Sequence, residues 1–437
     1  MRTKLYLATC LFILLVLLAS CVPPIDTTPQ SNNPSPSPAK TAVILIVDDF
    51  SQEEYNELKA QELLVKYPDY VNLNCLATPE GQGGVYIKVK ASLDALPQPH
   101  GALVYSSAAD ELLQHNFKLV KTDGNRQLWQ SSEGAQIVLV AIDTPDWGTQ
   151  AMESNLSAAL NNILANGIQV GDSTLKNIQD QDIVINLSYA LVPCDPLFGF
   201  TSKNPEEPQT LLNEFRELLA QYRARDSIQS DNFFGAKVDI LEKTLDSLQE
   251  ELNSGNSESV WLKLLYLPDL GPLRIYKYYT SNYGELAGNG TENGTKGADK
   301  LYETILSGKW TVIASAGNQG LSTPYAPASL PGVVSSSAYT EEVNPIHATW
   351  SNAGEVMTMG IAVDAGAQVT TSNGNLAAGT SFSAPRLSAL MAIYLVTGGS
   401  DSCSGTKGNS HPPLDHSTWD NLDVKTAATE FCSGFSN

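Results

Sequence analysis

Basic residues are scarce in this chain of 437 residues. It holds 26 Lys and Arg against 47 Asp and Glu, a formal net charge of −21. An acidic surface of that kind repels phosphate backbones, so nucleic acid is excluded as a partner class. Cysteine is sparse as well, with six residues, and none of their spacings reads as a zinc site. No Asp-rich loop has the ligand spacing of a calcium site. No metal or cofactor is therefore expected, with calcium in an acidic loop as the alternative, and His411 and His416, which flank Asp415 in a Pro-rich segment, read as a surface loop, with a metal site as the alternative. The longest apolar run, Leu5 to Leu18, is too short to span a bilayer comfortably. Histidine is limited to His100, His115, His347, His411 and His416, so any chemistry that needs an imidazole must draw on those five.

The apolar run follows Arg2 and Lys4 and leads into Leu18-Ala19-Ser20-Cys21. A basic start and a short apolar core mark a secretory signal. The Leu-Ala-Ser-Cys ending resembles a bacterial lipobox. That resemblance implies acylation of Cys21 and an extracytoplasmic lipoprotein held at the membrane; an ordinary signal peptide is the alternative. Residues 1–20 are read as the signal and 21–40 as a semi-extended tether built on Pro34-Ser35-Pro36-Ser37-Pro38. The folded domain is expected over 41–437. Cys10 falls in the signal, which leaves Cys75, Cys194, Cys403 and Cys432. An even number in an exported protein permits two disulfides, and free thiols are the alternative. Cys403 with Cys432 is the favoured pair, because both lie in the Gly-, Ser- and Pro-containing tail 399–437.

Reactive residues stand at the ends of recognisable elements. Ala42 to Val47 is a continuous apolar, β-branched run that stops at Asp48-Asp49, as a strand buried on both faces of a parallel sheet would. His100-Gly101 opens a segment with apolar positions at Leu103, Val104, Leu112 and Leu113, which predicts a helix with one buried face. A second strand-like segment, Asp182 to Ala190, ends in Ser188-Tyr189-Ala190. A third, Trp310 to Ser315, ends in Ala316-Gly317-Asn318. Finally Gly379-Thr380-Ser381-Phe382-Ser383-Ala384-Pro385 leads into the apolar segment Leu387 to Val396. Ser381 is there expected at a helix N-terminus, with Pro385 in the first turn, where free N–H groups and the helix dipole favour negative charge.

These five segments resemble, in order, the motifs of the subtilases, the subtilisin-like serine peptidases. The resemblance covers about residues 42–195 and 308–398. It implies a three-layer α/β/α fold with a mostly parallel sheet. It also implies a catalytic set in which Ser381 is the nucleophile, His100 its base, Asp48 the orienting carboxylate and Asn318 an oxyanion donor. Ser188, Tyr189 and Ala190, with Ala316 and Gly317, would line the substrate backbone. The sequence departs from the family pattern at Asp49-Phe50, at Ala102, where a Thr is usual, and at Ala190, where a Gly is usual. The implied activity is an endopeptidase acting on peptide or protein substrates. A catalytically impaired binding module and a peptide ligase or cyclase are the alternatives.

Between Ser188 and Asn318 lies more chain than one sheet connection needs. Leu211, Leu212, Phe215, Leu218, Leu219 and Tyr222 fall on one helix face, and Leu241, Leu245, Leu248 and Leu252 on another. A helical insertion over about 198–305 is expected, leaving and re-entering beside the site.

Overall fold

The computed structural model describes residues 40–50, 86–89, 96–144, 149–193, 197, 199–224, 232–267, 270–271, 273–274, 276–277, 304–305, 307–321, 324–329, 333–340, 347–370, 374 and 376–397. Residues 1–39, which hold the signal and all but the last residue of the tether, lie outside these residues, as do all six cysteines, His411, His416 and the tail 399–437, so the lipidation and disulfide expectations do too.

The apolar runs form strands and assemble into one eight-stranded sheet. Its order is β12 (Val356–Met359), β11 (Val333–Tyr339), β10 (Thr311–Ser315), β8 (Ile183–Leu187), β1 (Thr41–Asp48), β5 (Gln136–Asp143), β4 (Arg126–Gln130) and β3 (Lys118–Asp123). The first six strands are mutually parallel. Only the β3–β4–β5 meander at one edge is antiparallel. Three short antiparallel pairs stand apart: β2 (Tyr86–Val89) with β9 (Ala190–Pro193), β6 (Ile168–Val170) with β7 (Ser173–Leu175), and β13 (Val363–Asp364) with β14 (Ala367–Gln368).

Strand periodicity of two decides which helices cover which face. Along β1, Val43, Leu45 and Val47 enter one core, shared with Leu156, Leu160 and Ile163 of α2 (Thr149–Asn166). Ala42, Ile44 and Ile46 enter the other. That second core is shared with Leu103, Val104, Ala108 and Leu112 of α1 (His100–Gln114), and with Phe382, Leu387 and Met391 of α6 (Thr380–Thr397). The result is the three-layer α/β/α arrangement with a mostly parallel sheet that the resemblance implies. By the same alternation, Asp48 follows Ile46 onto the α1 and α6 side. The helix α6 is buried on nearly every side, which is why its sequence is apolar all round rather than in a stripe.

The insertion is helical. It contains α3 (Pro208–Arg223), α4 (Asn232–Asn253) and α5 (Ser257–Tyr266). Pro208 occupies the first turn of α3, where its missing N–H costs nothing. All six residues expected on the apolar face of α3 are buried, as are Leu241, Leu245 and Leu248 of α4. These helices do not close a core on themselves alone. Their cluster takes in Ala338, Ala348 and Trp350, at and beyond the carboxyl end of β11.

Candidate active site

The parallel strands present their carboxyl ends on one edge of the sheet. The chain moves from β1 to β5 on one side and then back to β8 on the other. Such a reversal leaves a crevice at the strand ends, where open α/β sheets place their sites. Val47 pairs with Leu187, and Ala314 pairs with Leu187 from the far side. Asp48, Ser188 and Ser315 therefore come level at the strand ends, with Ala316 one residue further on.

Asp48 is the last residue of β1 and is 1% exposed. Its Oδ1 accepts the Asp49 N–H at 2.7 Å and lies 2.9 Å from His100 Nδ1. His100 is the first residue of α1, which is why His-Gly opens an apolar pattern. The following glycine is what lets the helix reach the strand. The Gly101 N–H donates to the Asp49 carbonyl at 2.8 Å, and a Cβ at this position would stand 2.6 Å from that oxygen. With Nδ1–H donated to the carboxylate, Nε2 keeps its lone pair. Asp48 Oδ2 and the Tyr189 hydroxyl are both buried without a protein partner. Burial first, and the negative charge of Asp48 second, push the Tyr189 phenol well above its ordinary range.

Ser381 is the second residue of α6. It is half-buried while Thr380, Phe382 and Ser383 on either side are buried, so it alone of that turn reaches the surface. The His100 ring lies 5.8 Å, centroid to centroid, from Phe382. The Ser381 hydroxyl donates to the Ser188 carbonyl at 3.1 Å and not to His100. One expectation is corrected here: α6 begins at Thr380, so Pro385 sits inside the helix and not in its first turn. The proline cannot donate to the Ser381 carbonyl four residues back, which leaves that carbonyl outside the helical ladder.

The turn is seated from below. Ser336 Oγ donates to Ser383 Oγ at 3.1 Å, and Thr358 Oγ1 donates to the Ser383 carbonyl at 2.7 Å. Asn186, in the middle of β8, donates to Ser188 Oγ at 2.9 Å. The Ser188 side chain is thus turned inward, and its exposed chemistry is the carbonyl that meets Ser381. The strand expected to run on through Ser188 to Ala190 stops at Leu187. Ala190 starts a separate strand that pairs with Tyr86–Val89 of the same chain.

Asn318 is half-exposed between the buried Gly317 and Gln319. Its Oδ1 accepts both the Thr380 N–H at 2.8 Å and the Thr380 hydroxyl at 2.9 Å. The carboxamide oxygen is thereby committed to the turn that carries Ser381, and the NH2 end is free to donate. Thr380 Oγ1 also accepts the Gly317 N–H at 3.0 Å. Gly317 has φ +110°, and a Cβ there would come within 2.5 Å of both Asn352 Nδ2 and the Tyr325 ring. Ala316 and Gly317, read from the sequence as substrate-lining, spend their backbone groups on internal anchors. The Ala316 N–H donates to the Ser336 carbonyl, and the Ala316 carbonyl accepts from Tyr325 N–H and Asn352 Nδ2. The Gly317 carbonyl accepts the Asn352 N–H.

Asn352 was not singled out by sequence reasoning. It is fully buried, its Oδ1 accepts the N–H groups of Gln319 at 3.0 Å and Leu321 at 2.9 Å, and its Nδ2 donates to the Ala316 carbonyl at 3.0 Å. It folds the 316–321 loop around itself. No periodicity marks it. Arg386 was also passed over, although a signal existed: a lone cation opening an apolar helical run must find partners. It is 3% exposed and bonds Asp110 and Glu111 of α1. Among the described residues no group of three His, Cys, Asp or Glu side chains gathers as metal ligands would.

No family model matches this chain, and no curated protein does. Among solved structures, the prenylagaramide maturation protease PagA is similar at 20% identity over 28% of this chain and 49% of that one, with a TM-score of 0.19. The self-cleaved protease domain of PatA is similar at 23% identity over 30% of this chain and 52% of that one, with a TM-score of 0.20. A point mutant of the PatA protease domain gives 22% identity and the same TM-score. The matched part spans about half the length of those chains. At such TM-scores the likeness adds no weight to the geometry of the chain itself.

Proposed function

We propose that this chain is a subtilisin-type serine endopeptidase, carried outside the bacterial cytoplasm and held to the membrane through a lipid on Cys21. The observation that supports the catalytic part is the buried Asp48 carboxylate on His100 Nδ1 at 2.9 Å, with the imidazole set against the residue that follows Ser381. A serine hydroxyl is a weak nucleophile until a base takes its proton. Here a turn about χ1 of Ser381, from the Ser188 carbonyl toward His100, would deliver that proton to Nε2 as Oγ bonds to the scissile carbonyl carbon. Catalytic hydrogen bonds are often unformed in the absence of substrate. Asp48 holds the tautomer and stabilises the imidazolium. The oxyanion would take the Asn318 NH2 and the first-turn N–H of Ser381. His100 then gives its proton to the departing amine, and water, deprotonated by the same imidazole, releases the acyl group. The substrate backbone would run past Ser188–Ala190 and the 316–317 turn.

A fluorophosphonate probe tests this reading. Stoichiometric labelling of Ser381, lost in Ser381→Ala, is the expected result. The rival is a binding module that kept the fold but lost turnover, and the Ser381 bond to Ser188 favours it. Well-folded protein that takes no label would decide for that rival. The lipid part rests on residues 18–21 alone. Among the described residues no helix is long and apolar enough to cross a membrane. Mass spectrometry of the N-terminal peptide should find acyl chains on Cys21, and Cys21→Ser should release the protein from membranes; an unmodified soluble wild type would remove this part.

A further inference from the structure

Arg386 lies just over one helical turn past Ser381 on α6, and its side chain is 4% exposed. Its Nη1 bonds Asp110 Oδ2 and Glu111 Oε2, each at 3.0 Å. Both carboxylates belong to α1, the helix that starts with His100, and they are 10% and 13% exposed. Each is also held by a residue near the end of the same helix, Gln114 in its last turn and His115 just past it. Gln114 Nε2 donates to Asp110 Oδ2 at 2.7 Å, and His115 Nε2 lies 3.1 Å from Glu111 Oε1. These are the two helices that pack on each other on this face of the sheet. Besides the His100–Phe382 ring contact, their shared core is aliphatic and small, as in Leu103, Ala108, Leu387 and Ala389. Such surfaces are non-directional, and the hydrogen bonds that seat α6 at Thr380, Ser383 and Ser388 run to the strands and the 316–318 turn, so they do not tie it directly to α1. A buried ion pair contributes little net stability compared with apolar packing, and its best-attested role is to fix register. A shift of one residue along α6 would move Ser381 by about 1.5 Å.

We propose that Arg386 is a positioning residue: by clasping Asp110 and Glu111 it fixes the register of the Ser381 helix against the His100 helix. This rests on the reading of Ser381, His100 and Asp48 as a catalytic set. A misplacement of about 1 Å can cost roughly a hundredfold in rate. One nitrogen makes both bonds, so a lysine ammonium can stand in for it where a methionine cannot.

The test combines two measurements on the full chain: the rate of fluorophosphonate labelling of Ser381, and the His100 ring resonances, assigned by their loss in His100→Gln. Both are made well below each variant's melting temperature. Arg386→Met should label about ten- to a hundredfold more slowly than wild type and shift the His100 signals. Arg386→Lys should recover most of the rate. If Arg386→Met fails to fold because two buried carboxylates lose their cation, the triple variant R386M/D110N/E111Q removes all three charges of the clasp and should fold, yet still label slowly. A folded Arg386→Met or triple variant with wild-type labelling and unchanged His100 signals overturns the proposal. If wild type itself takes no label, the catalytic reading fails. The His100 signals then decide the clasp separately: a shift in the variants supports it, and identical spectra reject it.

Discussion

Replacing Asn352 by alanine should impair the site without touching any residue that meets substrate. The side chain is fully buried and makes three hydrogen bonds into the 316–321 loop. Its loss leaves the Ala316 carbonyl with the Tyr325 N–H at 2.8 Å, so that acceptor stays satisfied. The N–H groups of Gln319 and Leu321 lose this acceptor. An orphaned buried donor costs about 1–3 kcal/mol, with the lower end for half-buried Leu321, where water reaches. A destabilisation of about 2–4 kcal/mol follows, which for a domain of this size lowers Tm by about 3–5 °C. The effect on rate is bounded from above. Removing an oxyanion donor outright costs about 10²–10³ in rate, and on the proposed reading Asn318→Ala does that. In Asn352→Ala the Thr380 contacts to Asn318 Oδ1 survive, so part of the positioning remains. Labelling should therefore slow by about 10- to 100-fold, which is roughly 1.4–2.7 kcal/mol. The assay is the second-order rate of fluorophosphonate labelling at 20 °C below the variant's Tm, with Asn318→Ala alongside. Labelling of folded Asn352→Ala within about threefold of wild type would refute the claim that this side chain positions Asn318 through the 316–321 loop.

Asp48→Asn should cut turnover by about four orders of magnitude, by favouring the wrong His100 tautomer, while Asp49→Asn is much milder; peptide hydrolysis rates measure both, and the opposite ranking would move the carboxylate one residue along. Burial pushes the Glu355 carboxyl up to about 7, against the opposing hydrogen bonds from the Ser335 backbone and hydroxyl. The folded protein then keeps this proton where the unfolded chain has lost it, so stability from this group is present below about pH 4.5 and is lost as pH rises to about 7. Glu355→Gln should flatten the fall of Tm across that window and raise Tm above it; an unchanged Tm–pH profile would remove Glu355 as its cause. Replacing 205–297 by a short linker should uncover Trp350, two residues from Asn352, so the trimmed protein should melt lower and label Ser381 more slowly; wild-type labelling with an altered cleavage profile would instead make the insertion a pure specificity element.

Local pattern was enough to find the elements and their ends. Buried parallel strands need β-branched apolar runs, so β1, β8 and β10 were legible, and so were Asp48 and Asn318 at and just past two of their ends. Helix starts carry local signals too, which placed His100 and Ser381 at N-termini. The amphipathic faces of α3 and α4 were legible for the same reason, since periodicity repeats within one window of chain. Tertiary structure alone decided what joins these pieces. Asn352 reaches loop residues more than thirty positions away, and Arg386 reaches carboxylates on α1 far upstream. Such pairings leave no periodic trace, because each residue answers to a partner that only folding brings near. The same holds for the break at Ser188. Its sequence continues an apolar run, but its carbonyl is needed by Ser381 and its hydroxyl by Asn186, and these two contacts end the strand where propensity would have carried it on.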